Sequence, residues 1–198
     1  MPNTDPKFPP LEKVAVIGNG PTELGKGTGP HIDSFEGVVR CNNYRLDGEF
    51  AKDYGTRTTH WTNAAHACNL PKTNGWDHIL IPMPLYDKRF YRYPTTLAHI
   101  PQQDHHKIVY MDYDLYMELF KHLQRPSLGI EVLYWLWRYH GKPLLPQNVF
   151  GFTWFDKTQM HEYWDGHIKP DFAKRGEYDH EGAKEKAFFE KMTKEAPR

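Results

Sequence analysis

Apolar positions fall along the chain in short runs, separated by loops or by stretches with a helical period. Val14-Ala15-Val16-Ile17 is an unbroken apolar run stopped by Gly18-Asn19-Gly20-Pro21, the pattern of a buried strand entering a tight turn. Comparable runs are Val38-Val39, His78 to Ile81, Ile108 to Met111 and Val149 to Phe152, and Leu115 to Leu123 has helical spacing. A further helix is marked at both ends. Pro126 and Ser127 precede it, with Ser127 the natural N-cap; Ile130, Leu133, Leu136 and Trp137 share one face; Gly141 and then Pro143 close it. From Lys184 to Arg198, Ala187, Phe188, Phe189 and Met192 recur near helical spacing and predict an amphipathic helix. Strands alternating with helices imply an α/β fold, a mostly parallel sheet flanked by helices. It is expected to occupy residues 13–198 as a single domain behind a loose, polar, Pro-rich arm over residues 1–12.

Composition narrows the partners. Lys plus Arg is 25 and Asp plus Glu is 25, so the formal charge is zero and no basic footprint for nucleic acid or an anionic membrane exists at pH 7. Twelve His residues turn the charge positive on mild acidification. Hydrophobic residues are 39% and aromatics 15%, which places rings rather than aliphatics at the centre of the core. The run from Ile130 to Tyr139 is interrupted by Glu131 and Arg138, and Met1 to Lys13 has no apolar centre; neither an integral membrane segment nor a secretory signal is expected. Cys41 and Cys68 are too few for a disulfide framework, and the expected compartment is the cytoplasm.

The stretch from Gly18 to Gly29 meets two nucleotide-binding templates and satisfies neither. The dinucleotide pattern has Glu23 where its third glycine belongs, and the phosphate-loop pattern has Gly27 after Lys26 where a hydroxyl must hold a metal. A glycine-rich turn after a first strand is still where backbone amides meet phosphate or ribose. Asn19 and Asn42 follow strand-like segments and offer both donor and acceptor. Ser127 and Gly129 open a helix whose amides and dipole favour an anion. The His60/His66 and His105/His106 pairs lack metal-ligand spacing, so no metal is expected. Arg57 reads as a structural brace for its loop, the Tyr134, Trp135, Trp137 and Tyr139 rings as helix packing, and Tyr86 to Tyr93 as an acceptor-side surface.

Taken together, Val14 to Gly20, Ile32-Asp33-Ser34, Val38 to Asn42 and Asp53 to His60 resemble the large sialylmotif of the animal-type sialyltransferases, glycosyltransferase family 29. Pro126-Ser127-Leu128-Gly129 followed by Val149-Phe150-Gly151-Phe152 resembles the small motif, with Leu128 in place of a hydroxyl. His161 to Asp165 is similar to the third motif, and His180 with Glu185 to the very small one. The resemblance implies a Rossmann-like, GT-A-like sialyltransferase variant: an inverting, metal-independent enzyme with no cofactor. Its donor would be a CMP-sugar, CMP-sialic acid or CMP-Kdo, and its acceptor a glycan or glycolipid. It assigns His180 as the base, His161 to the departing phosphate, and Asn19, Asn42, Ser127, Gly129 and Gly151 to the nucleotide.

The chain also departs from the family. Val14 and His140 stand near the places of the family's paired cysteines, so that disulfide is missing. Glu162 takes the place of the phosphate-side His, which puts His161 one residue early and predicts it in a loop or at a helix start. Two rival readings stay open: a catalytically silent CMP-binding or interaction domain, and an NTP-dependent kinase using Gly20 to Lys26.

Overall fold

The computed structural model describes residues 3–63, 75–82, 100–156, 158–160, 162–164 and 180–197. Its centre is a six-stranded sheet: β1 (Val14–Ile17), β2 (Gly37–Cys41), β3 (His60–Thr62), β4 (His78–Ile81), β5 (Ile108–Tyr110) and β6 (Val149–Phe150). The order is β5-β4-β3-β2-β1-β6 and every pairing is parallel. The α/β expectation holds, and the reason lies in the apolar runs. A parallel sheet is covered on both faces, so its strands carry continuous hydrophobic residues rather than an alternation. All of β1 and β2 is buried.

Alternate side chains still go to different clusters. Val14, Val16 and Val39 join Leu80, Val109 and the residues of α3 (Tyr113–His122), α4 (Leu128–His140) and α5 (Gly182–Met192). Ala15, Ile17 and Val38 join Ile32 of α1 (Gly29–Asp33) and Tyr54 of α2 (Ala51–Tyr54). The α4 boundaries follow the sequence signals: the Ser127 side chain accepts from the Ile130 N–H, and Gly141 takes the left-handed conformation at φ 63°.

Two features differ from expectation. Strand β3 is unmarked in the sequence because it is three residues long with polar ends, yet all of it is buried between β2 and β4. The polarity of His60 is absorbed locally, with Nδ1 2.7 Å from Thr59 Oγ1 and Nε2 3.1 Å from the Pro6 carbonyl. The N-terminal arm is docked rather than loose along residues 3–10. Phe8 is buried against His60, Trp135 and Tyr139, and the Tyr110 N–H donates to the Asn3 carbonyl. One aromatic ring anchors a segment whose other residues gave only a polar, Pro-rich signal.

Candidate active site

The chain leaves β1 toward β2 on one side of the sheet and returns as β6 on the other, so the carboxyl ends of β1 and β6 flank a topological switch point, the usual ligand crevice of open α/β sheets. There the backbones touch. The Gly18 N–H donates to the Phe150 carbonyl at 2.8 Å and the Gly20 N–H to the Gly151 carbonyl at 2.7 Å. Gly151 has φ 71°, and a Cβ on it would lie 2.4 Å from the Gly18 carbonyl oxygen. Its glycine character is therefore required by Gly18 before any ligand is considered. Asn19, next along, donates from Nδ2 to the Cys41 carbonyl at 3.1 Å and accepts the Tyr163 N–H on its own carbonyl at 2.8 Å. Asn19 Oδ1 is buried with no hydrogen-bond partner among the described residues. Asn42, beyond β2, is left-handed at φ 51°, and its carbonyl accepts from Trp61 Nε1 at 2.8 Å. Asn19, Asn42 and Gly151 thus end three strands that follow one another across the sheet.

The glycine-rich loop does not cradle a phosphate. The Gly25 and Gly27 N–H groups donate to the two oxygens of Asp53 at 2.7 and 2.8 Å. Those bonds, Gly25's first, lower the Asp53 pKa against the opposing effect of desolvation. Glu23 accepts the hydroxyls of Thr22 and Thr28, and Tyr54 Oη bridges the Glu23 N–H and the Gly20 carbonyl. The amides a phosphate loop would offer are filled by the chain's own carboxylate, which removes the kinase reading.

A second group gathers at the start of α4. Glu185, in the first turn of α5 and 1% exposed, accepts the Ser127 N–H on Oε1 at 2.8 Å and the Ser127 hydroxyl on Oε2 at 2.6 Å. Ser127, expected to meet an external anion, has spent both donors on Glu185. The Leu128 and Gly129 N–H groups are left without an acceptor among the described residues. Burial raises the Glu185 pKa, opposed by the Ser127 hydrogen bonds and by His180. Glu131, one turn along α4, is buried too, and desolvation with the Glu185 charge holds its pKa well above the usual range.

His180 lies on the rim of this group. Its side chain is 39% exposed, its Nδ1 is 3.1 Å from the Arg125 carbonyl and 4.0 Å from Glu185 Oε1. A carbonyl only accepts, so Nδ1 carries the proton in this bond. The two groups meet through Phe152. A Cβ on Gly129 would lie 2.6 Å from the Phe152 ring, and one on Gly18 would lie 3.1 Å from the same ring.

The sequence similarity is consistent with this geometry. The sequence model of glycosyltransferase family 29 (sialyltransferase) matches residues 2–84. Over that stretch the chain is similar to the sialyltransferases of glycosyltransferase family 29. It is 26% identical over 184 residues to CMP-N-acetylneuraminate-beta-galactosamide-alpha-2,3-sialyltransferase 2 of Mus musculus, covering 84% of this chain and 51% of that protein. It is 49% identical over 45 residues to sialyltransferase-like protein 2 of Oryza sativa subsp. indica, covering 23% of this chain and 11% of that one. The solved structure of a mammalian sialyltransferase in complex with Gal-beta-1-3GalNAc-ortho-nitrophenol superposes at TM-score 0.60 and 22% identity, covering 91% of this chain and 66% of the other. The chain spans about half the length of that murine relative.

Within this sialyltransferase-like fold the third motif is anchored by Tyr163, which stacks on Tyr54 at 3.9 Å and bonds Arg45 through its hydroxyl. His161, Asp165, His66, Cys68 and Tyr86 to Tyr93 lie outside the described residues. Arg57 braces its loop through the carbonyls of Asp33 and Phe35, while the Asp33 carboxylate takes the Thr56 and Arg57 N–H groups. Glu131 entered the sequence reading only as an interruption of an apolar run and Asp53 only as the first residue of a large-motif segment, and Phe155 was not singled out.

Proposed function

We propose that the chain moves a sialic acid, or a related ulosonic acid such as Kdo, from its CMP-activated form to a hydroxyl of a glycan or glycolipid. The reading adds inversion at the anomeric carbon and no metal or cofactor. The observation that carries it is the His180 imidazole, whose Nδ1 is tied to the Arg125 carbonyl in a side chain 39% exposed. In a single displacement, Nε2 takes the acceptor's hydroxyl proton as that oxygen attacks the anomeric carbon. The bond to the CMP phosphate breaks, and its electron pair leaves with CMP. Glu185, 4.0 Å from Nδ1, faces the imidazolium that forms. The Leu128 and Gly129 amides at the start of α4 are the donors proposed for the departing phosphate, joined by His161 from the third motif. Asn19, with a vacant acceptor in Oδ1, and Asn42 are proposed to hold the nucleoside beside Gly151. The buried free thiol of Cys41 is compatible with a cytoplasmic location.

Incubation with CMP-sialic acid and with CMP-Kdo, following free CMP with and without glycan acceptors, tests the reading. Acceptor-dependent CMP release with an inverted product anomer, unchanged by EDTA, is the expected result. One feature favours a second reading, a nucleotide-binding domain without turnover: Glu185 occupies both Ser127 donors at the helix start. Saturable CMP binding with no release from either donor would establish that reading instead.

A further inference from the structure

We propose that Phe155 is a positioning residue for His180, its ring fixing the plane of the imidazole so that Nε2 faces the acceptor hydroxyl. The inference rests on the transfer reading above and names a residue outside the four motifs.

After β6 the chain passes through two successive non-glycine residues in the left-handed region, Trp154 at φ 53° and Phe155 at φ 56°. Large side chains adopt that conformation only where the surroundings over-determine it. Here they do. The Trp154 ring packs on Phe152 at 5.2 Å and on Phe189 of α5 at 5.0 Å. The Trp154 carbonyl closes on Gly182, where a Cβ would lie 2.0 Å from its oxygen. Gly182 in turn donates its N–H to the His180 carbonyl at 3.0 Å. The turn is therefore locked to the backbone that carries His180, and it sets the Phe155 ring beside the imidazole, centroids 4.9 Å apart and planes 31° apart.

That contact supplies what the hydrogen bond lacks. A single bond from Nδ1 to the Arg125 carbonyl fixes one point of the ring and leaves its plane free to swing about that point. A flat apolar ring against the imidazole face removes the swing, while the His180 side chain stays 39% exposed. Misplacement of a reacting group by about 1 Å costs on the order of 100-fold in rate.

The test compares Phe155→Ala, Phe155→Leu and Phe155→Tyr with the parent chain. Phe155→Ala is expected to lower kcat for CMP-sugar transfer roughly 10- to 100-fold, with the CMP Kd and the donor KM little changed. Phe155→Tyr, which keeps the flat ring, is expected to restore most of kcat; Phe155→Leu, which keeps only bulk, serves if the alanine variant does not fold. The readout independent of turnover is the His180 tautomer by 15N NMR. A single Nδ1–H form is expected in the parent, from the Arg125 hydrogen bond, and a mixture in the alanine or leucine variant. An unchanged tautomer, or an unchanged kcat, overturns the positioning role. A parent chain that transfers nothing while the tautomer still shifts in the variants overturns only the transfer reading.

Discussion

Glu185 holds Ser127 by both of its oxygens across 58 residues of sequence, one to the backbone N–H at 2.8 Å and one to the hydroxyl at 2.6 Å. The bond joins the start of α4 to the first turn of α5, and so ties the helix that would face the departing phosphate to the segment that carries His180. A carboxylate at a helix N-terminus is also favoured by the free amides and dipole there. The same residue therefore caps one helix, orders the start of another and faces the histidine.

Removing that carboxylate should be costly. Glu185→Ala leaves the Ser127 N–H and hydroxyl unsatisfied in a buried place, and the expected loss is about 2–4 kcal/mol of unfolding free energy, read from urea denaturation. Glu185→Gln keeps an acceptor for the N–H and should lose about half as much. Equal losses in the two variants would mean that charge, not hydrogen bonding, supplies the stability.

His180→Ala should abolish transfer while leaving the CMP Kd, measured by calorimetry, within a few-fold of the parent. The imidazole sits at the rim and bonds Arg125, so its removal takes away the proposed proton acceptor without touching the strand ends. A loss of CMP affinity equal to the loss of turnover would make His180 a nucleotide ligand instead.

Asp53→Ala should loosen the glycine loop, because the Gly25 and Gly27 amides lose both acceptors. The expected cost is about 1–3 kcal/mol, with faster amide exchange confined to residues 23–28. Asp53 accepts two backbone bonds and its pKa is lowered, so this contribution is present above the ordinary carboxylate range and is lost as pH falls below it. Exchange rates at Gly25 and Gly27 that do not respond to the substitution would show the loop to be held by Glu23 and Tyr54 alone.

How much was legible in the sequence depended on how local the cause was. Helix α4 could be read from its cap and its terminal glycine, and β1, β2, β4, β5 and β6 from their apolar runs, since those signals lie within a few residues of the elements they specify. Strand β3 could not, because its burial comes from β2 and β4 rather than from His60 or Thr62 themselves. The roles of Ser127 and Gly129 were half legible. A helix start was visible, but Glu185 filling the Ser127 donors and Phe152 filling the space beside Gly129 are tertiary facts. Asp53 in the glycine loop belongs with them: the amides were evident, and their acceptor, at least 26 residues away, was not.

The docked arm gives the chain a pH-dependent weakness. His60 is buried with Phe8 5.4 Å from its ring and His78 4.8 Å away on β4, and Asp77, Asp5 and Lys7 are the charges that act on His78. Burial first, and then the neighbouring His78, push the His60 pKa down to about 4 from the 6.5 of an ordinary imidazole. Between those two values the unfolded chain binds a proton at His60 that the folded chain refuses, so stability rises with pH through the window. The contribution is complete above pH 6.5 and is lost as pH falls toward 4, a difference of about 3 kcal/mol. Glu131 and Glu185, with raised values, act with the opposite sign, so the total curve alone does not isolate the effect. The measurement is the difference in urea-unfolding free energy between the parent and His60→Gln at each pH. Loss of the Pro6 hydrogen bond shifts that difference by a constant, whereas the titration gives it a slope between pH 4 and 6.5. A difference that stays flat across the window would mean that His60 takes up its proton in the folded chain as readily as in water, which burial beneath Phe8 and the arm does not permit.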